Sequence, residues 1–200
     1  DAAVDGHPVV RRAAADALET RVEALEEVNL LGEALPPTPG IDWDVLARLG
    51  RHPTLTFQVA TETGDTRGTF VMRLDAEQAP QATQTLARLC AAGTYDGVPF
   101  HRVVPNFVIQ GGASSRRDGF GGPGFTLRSE FTRTRYTTGT VGIASAGKDT
   151  EGNQYFVTHA PQPHLDGRYT AVGQLAEGQD VADAVVQGDM VLTCEVRSGK

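Results

Sequence analysis

Cysteine, tryptophan and methionine are scarce in this chain of 200 residues: it has two, one and two of them. Two cysteines, Cys90 and Cys194, cannot form a disulfide framework, and neither belongs to a C-x-x-C pair. Cys90 falls in an apolar helical stripe and Cys194 in an alternating strand, so both read as small buried hydrophobes. No apolar run approaches the ~20 residues that span a bilayer, so no membrane span is expected. Excess basic charge is also missing. The 18 Lys and Arg are outnumbered by 25 Asp and Glu, for a net charge of -7, which argues against phosphate-mediated nucleic-acid binding. A secretory signal is absent, but the chain opens on Asp1 rather than Met, so upstream sequence is expected and the compartment stays open between bacterial cytoplasm and periplasm.

What is present divides at about residue 53. Apolar residues recur at helical steps first, through Val10, Ala13, Ala14, Ala17 and Leu18, then Val22, Leu25, Val28 and Leu31. The run Pro36-Pro37-Thr38-Pro39-Gly40 breaks the helix, and Asp42 caps a short one with Trp43, Leu46 and Leu49 inward. After Pro53 the period becomes two. Short strands are expected near 55–60, 68–74, 98–104, 107–110, 140–144, 154–158, 170–175 and 190–197. Helices interrupt them twice, after Pro80 and from Gln179 to Val186. Eight short strands at this spacing predict a mainly β domain: a closed antiparallel barrel capped by two helices, with a short all-α N-terminal extension. The divisions are a helical segment over 1–35, a linker with a short helix over 36–52, and the β domain over 53–200.

Several chemical motifs fail on context. Gly119, Gly121 and Gly124 satisfy G-x-G-x-x-G, but Pro123 lies inside it and Phe125-Thr126-Leu127-Arg128 is no helix, so no pyrophosphate site follows. His159, His164 and Asp166 share a Pro-rich loop without a second cluster to complete a metal shell. Ser114, Ser115 and Ser145 lack a nucleophile elbow. Neither metal nor cofactor is therefore expected.

The stretch FHRVVPNFVIQGG, Phe100 to Gly112, is more informative. Arg102 stands on an apolar strand, with Phe100 and Val104 read onto its own face and His101 and Val103 onto the other. Such an arginine is either paired structurally or held for recognition. Phe107, Val108 and Gln110 follow, and Gln154, Phe156, Leu165 and Tyr169 come later. Together they compose an apolar pocket with a few polar groups, as small specific sites usually are.

FHRVVPNFVIQGG, GNQYFVT and LDGRYTAVG resemble, in order and spacing, the three signature blocks of the cyclophilins, over about 145 residues from Pro53. The resemblance implies a peptidyl-prolyl cis/trans isomerase acting on proline-containing peptides and unfolded proteins. It places Arg102 on the catalytic arginine and His101 beside it as strand support. It puts Phe107, Val108, Phe156, Leu165 and Tyr169 on the proline pocket, and Gln110, Gln154, Ala144 and Ser145 on the positions that hold the flanking backbone. The alternative within the family is a proline-peptide binding module with little turnover. At the N-terminus GHPVVRRAAADAL resembles the second helix of a HEAT repeat, which implies the end of a solenoid able to contact a protein partner.

His164 stands where many family members carry tryptophan, and that indole is the family's handle on cyclosporin. The loop from Ala113 to Gly124 departs most from the pattern and borders the groove for residues preceding the proline. Weak cyclosporin binding is the expected outcome of the His164 substitution, checked by calorimetry, in which a submicromolar dissociation constant would refute it.

Overall fold

This computed structural model describes residues 39–120 and 122–199. The HEAT-like segment over 1–35 and the start of the linker lie outside the described residues. The elements run α1 (Trp43–Leu49), β1 (Thr54–Ala60), β2 (Thr66–Leu74), α2 (Pro80–Ala91), β3 (Arg102–Val104) and β4 (Val108–Gly111). They continue with β5 (Thr140–Ile143), β6 (Tyr155–Thr158), a 3-10 turn at Pro163–Leu165, β7 (Ala171–Glu177), α3 (Gln179–Ala184) and β8 (Met190–Arg197). Among these described residues no helix is long and apolar enough to cross a membrane.

The strands form one antiparallel sheet in the order β3-β4-β6-β5-β7-β2-β1-β8. The expected closed barrel is corrected in one respect: its end strands β3 and β8 share no ladder. The segment just before β3 meets β8 instead, through a bridge between Pro99 and Met190 and the bonds Val191 N–H to Val98 O and Gly97 N–H to Val191 O. Proline has no N–H to give a continuous ladder, so contact here is local. The third strand accordingly shrinks from the expected 98–104 to Arg102–Val104.

That shortening also corrects the faces. Phe100 is fully buried in the main core and Val103 packs against it, while Arg102 turns outward. Alternation holds only inside a regular strand, and the chain is not one at Phe100 and His101.

Inside the sheet, β1 and β2 supply Leu55, Phe57, Val59, Phe70, Met72 and Leu74, every second residue and all fully buried. Phe57 stacks on Phe70 at 5.1 Å, and Tyr95 and Tyr155 meet edge to face at 5.4 Å. The helix α2 covers this core with Ala82, Leu86 and Cys90. Its N-cap, Ala79, has no side chain to offer the first N–H groups. Glu130 does so from a distant loop, accepting from Gln81 N at 2.9 Å and Ala82 N at 2.8 Å.

Asp42 caps α1 as expected, accepting from Asp44 N and Val45 N at 3.1 Å each. Trp43, however, is 69% exposed, and Val45 takes the inward place beside Leu46 and Leu49. Val45, Leu46 and Leu49 belong to the main core, so α1 is packed into the body of the β domain.

Cys90 and Cys194 are buried, but they are joined in a disulfide rather than free. Their separation of 104 residues hides in sequence what packing of α2 on β8 makes adjacent. Disulfides persist in oxidising environments, so the bridge weighs toward such a compartment. Reduction is expected to lower unfolding stability by about 2–4 kcal/mol, since so long a closed loop constrains the unfolded chain strongly. Urea unfolding with and without reductant checks this, and coincident curves would count against it.

Candidate active site

The register across four strands sets the site. Arg102 pairs with Gln110, Gln110 with Phe156, and Phe156 with Gly142. One residue along, Val103 pairs with Ile109, Ile109 with Val157, and Val157 with Val141. Because side chains alternate, the valine and isoleucine row enters the main core and the Arg102 row faces outward.

A second apolar cluster builds up on that outer face, from Val108, Tyr136, Phe156, Leu165 and Ala171, with Phe107, Ala144 and Tyr169 against it. Gly142 is required here. A Cβ on it would lie 2.3 Å from the Phe156 ring and 2.5 Å from the Tyr136 hydroxyl. With no side chain in the way, Tyr136 stacks on Phe156 at 5.6 Å, and the Tyr169 edge meets Phe156 at 5.8 Å.

On this face lies a cavity of about 230 Å³. Phe107, Val108, Phe156, Leu165 and Tyr169 make its apolar wall, and Arg102, Gln110, Ala144 and Ser145 complete it. Phe107 is fixed by the β3–β4 turn, where Asn106 adopts φ 58°, a left-handed conformation that asparagine tolerates. Gln162 Nε2 donates to Asn106 O at 2.8 Å and His159 N to Phe107 O at 2.9 Å, holding the turn from outside. The 3-10 turn at Pro163–Leu165 delivers Leu165.

Arg102 lies 5.4 Å above the Phe107 ring, and its Nη1 donates to Gln110 Oε1 at 3.3 Å. Gln110 Nε2 donates to Gln154 Oε1 at 2.9 Å, and Gln154 Nε2 to Gly119 O at 2.9 Å. This chain of donors fixes both amides. It also joins the pocket to a second cavity of about 380 Å³, lined by Gln154 and the glycine loop and sharing Gln110, Ala144 and Ser145. Of the fingerprint-like glycines Gly119 borders this groove, and no helix follows the loop.

Two further site candidates, His101 and His164, lie outside the cavity's lining. His101 does not reach the pocket wall but packs beneath Gly119, where a Cβ would come within 2.7 Å of its ring. Burial pushes its imidazole below the ordinary range; nearby Asp118 opposes this and Arg102 adds to it. His164 sits on the rim, stacked on Phe107 at 5.5 Å. His159 and Asp166, once weighed with it as metal ligands, have other partners: His159 Nδ1 lies 2.7 Å from Asp183, and Asp166 accepts from Tyr136 N at 2.8 Å.

The family model described as cyclophilin type peptidyl-prolyl cis-trans isomerase/CLD matches residues 56–197. Peptidyl-prolyl cis-trans isomerase B of Bacillus subtilis is 42% identical over 117 residues, covering 58% of this chain and 81% of that protein. A peptidyl-prolyl cis-trans isomerase of Synechococcus elongatus is 36% identical over 132 residues, covering 65% and 90%. The crystal structure of a Cryptosporidium parvum cyclophilin type peptidyl-prolyl cis-trans isomerase shares the fold, with a TM-score of 0.66 at 23% identity over 74% of this chain and 99% of that one.

Sequence reasoning passed over Tyr136, Thr170 and Glu151, which sit behind the pocket. Glu151 follows a run of exposed residues and reads as a loop carboxylate. A bridge to Leu127 draws it in until it is fully buried. Burial then pushes its carboxyl up to about 7, against hydrogen bonds from Thr170 and Ser129 that favour the charged form. An unfolded glutamate loses its proton near pH ~4.3. Between that pH and about 7 the folded chain keeps a proton that the unfolded chain has lost, so this group's contribution to stability is full below the window and lost as pH rises through it. In thermal melts the wild type is expected to lose stability across that window relative to Glu151→Gln; parallel profiles would overturn the assignment.

Proposed function

Because this chain belongs to the cyclophilin-type peptidyl-prolyl cis-trans isomerases and so acts on proline-containing peptides, we propose that it turns the X-Pro bond by seating the ring against Phe107, Phe156, Leu165 and Tyr169 while Arg102 stabilises the twisted imide. Rotation about an amide costs ~18–20 kcal/mol because resonance stiffens the C–N bond. For X-Pro the cis and trans ground states are nearly balanced, so the obstacle is kinetic. In the twisted state the nitrogen becomes pyramidal and gains a lone pair. A guanidinium can donate to that nitrogen or to the prolyl carbonyl, and it stays protonated at every relevant pH.

The observation that carries this reading is the outward row Arg102–Gln110–Phe156, which stands a charge at the edge of a cavity of about 230 Å³ with an aromatic and aliphatic wall. Phe107 under the guanidinium and Gln110 beside it limit where the charge can point. The apolar wall excludes water from the reacting bond and so strengthens the charge's effect there. Lowering the barrier by roughly 7 kcal/mol would speed rotation about 10⁵-fold. One desolvated charged hydrogen bond accounts for about half of that, and tighter binding of the twisted substrate for the remainder.

In the same reading Gln110, Gln154, Ala144 and Ser145 hold the backbone around the proline, with the preceding residues lying in the cavity under the glycine loop. His101 supports that loop, and His164, backed by Phe107, edges the pocket in place of a larger indole. The segment over 1–35, which resembles part of a HEAT repeat in sequence, would bring a protein partner or client to this domain.

A protease-coupled assay on a short X-Pro peptide tests the assignment. Arg102→Ala is expected to lower kcat/KM about 100-fold with little change in melting temperature, and Arg102→Lys to recover little of it, because a mobile point charge lacks the planar fork. Wild-type turnover no better than that of Arg102→Ala would leave only a proline-binding module.

A further inference from the structure

A polar cluster that imide rotation does not call on lies behind the first cavity and borders the second at Glu151. Thr170 Oγ1 is 2.9 and 3.0 Å from the two carboxylate oxygens of Glu151 and donates to them. The same hydroxyl accepts from Glu130 N at 2.7 Å. Ser129 also bonds the Glu151 carboxyl. Tyr136, only 2% exposed, carries a hydroxyl without a hydrogen-bond partner, and the Glu151 charge is near enough to act on it. The groups facing Glu151 are thus Ser129 and Glu130 from the loop after Leu127, Tyr136 from the approach to β5, and Thr170 at the head of β7. The charge bearing on it comes from Glu130 and has the same sign.

Two routes lead from this carboxyl to the pocket wall. Thr170 directly follows Tyr169 in the chain, and its carbonyl accepts from Ile143 N at 3.0 Å, tying it to β5. Tyr136 stacks on Phe156, which meets Tyr169 edge-on. The close approach of both Tyr136 and Phe156 to Gly142 leaves this packing little slack.

We propose that Glu151 is a positioning residue of the isomerase, whose carboxyl holds the Tyr169 and Phe156 walls through Thr170 and Tyr136, so that the pocket's grip on proline changes when that carboxyl gains or loses its proton. The proposal rests on the pocket assignment made above. Neutral, Glu151 accepts from Thr170 and sets no charge against Glu130. Ionised, it sets a second negative charge against the half-buried Glu130. Relief comes by tightening the Thr170 bond, which favours the charged form, or by drawing in the Tyr136 hydroxyl. The first pulls on the segment that carries Tyr169, and the second on the ring stacked against Phe156. Burial holds the carboxyl at about 7, which sets the change near neutral pH.

Exchange NMR on a short X-Pro peptide, which needs no coupling protease, gives kcat and KM from about pH 5.5 to 8.5 for the wild type and Glu151→Gln. The ring-proton shifts of Tyr169 and Phe156 are followed over the same range. In the wild type KM is expected to rise about threefold, with a much smaller change in kcat, and the ring signals to move with the same midpoint near 7. Glu151→Gln is expected to lose both steps; His101 and His164 are present in both proteins and cancel in the comparison. Identical pH profiles with unmoving ring signals would overturn the proposal. Should Glu151→Gln not fold, Glu151→Asp shortens the reach to Thr170 and is expected to displace the midpoint; an unmoved one would also overturn it. A wild type without turnover at any pH would sink the isomerase reading instead, while the ring signals still report the coupling.

Discussion

The antiparallel register of β3, β4 and β6 is the constraint on which the rest depends. It sets Val103, Ile109 and Val157 in one row and Arg102, Gln110 and Phe156 in the next. The first row is gripped by a core of large, fully buried side chains, and slipping by one residue would turn it out into water. Burying a side chain of that size is worth about 1.5–3 kcal/mol, so the inner row fixes the register and the outer row follows. The guanidinium, amide and ring of the site are therefore placed by the packing of residues that never touch a substrate.

Orientation on the outer face comes from a different source. The second cluster around Phe156 is small, and it is held between Gly142, which supplies space, and Tyr136, which fills it. Along the other edge the bonds from Arg102 through Gln110 and Gln154 to Gly119 O fix which end of each amide donates. In the proposed binding mode a substrate meets polar groups already turned, and the entropy of ordering them has been met in folding. The cost of the arrangement sits behind it, where the buried Glu151 lies beside the half-buried Glu130, and where Tyr136 keeps an unpaired hydroxyl.

Much of the architecture was legible because its signals are local. Period-two alternation located eight strands, Pro80 opened α2, and Asp42 capped α1. The pocket residues were named together because three short blocks resemble one family, and the structure brings Arg102, Phe107, Val108, Gln110, Ala144, Ser145, Phe156, Leu165 and Tyr169 to a single cavity. The misreadings arose where a distant partner decides. Pro99 bridges Met190 and breaks the alternation that would have put Phe100 beside Arg102. Val45 displaces Trp43 from the inner stripe of a helix with only two turns to choose from.

The sequence by itself determined the family, the alternation of inner and outer residues, and the side-chain types a proline pocket needs, because each of these is written in short spacings. Only the tertiary structure decided that Cys90 meets Cys194, that Glu130 caps α2, that His101 lies under the glycine loop, and that Glu151 loses its water. Each of these pairs groups from separate elements. Desolvation and contact depend on what packs around a side chain after folding, and residues next to it in the chain say little about that.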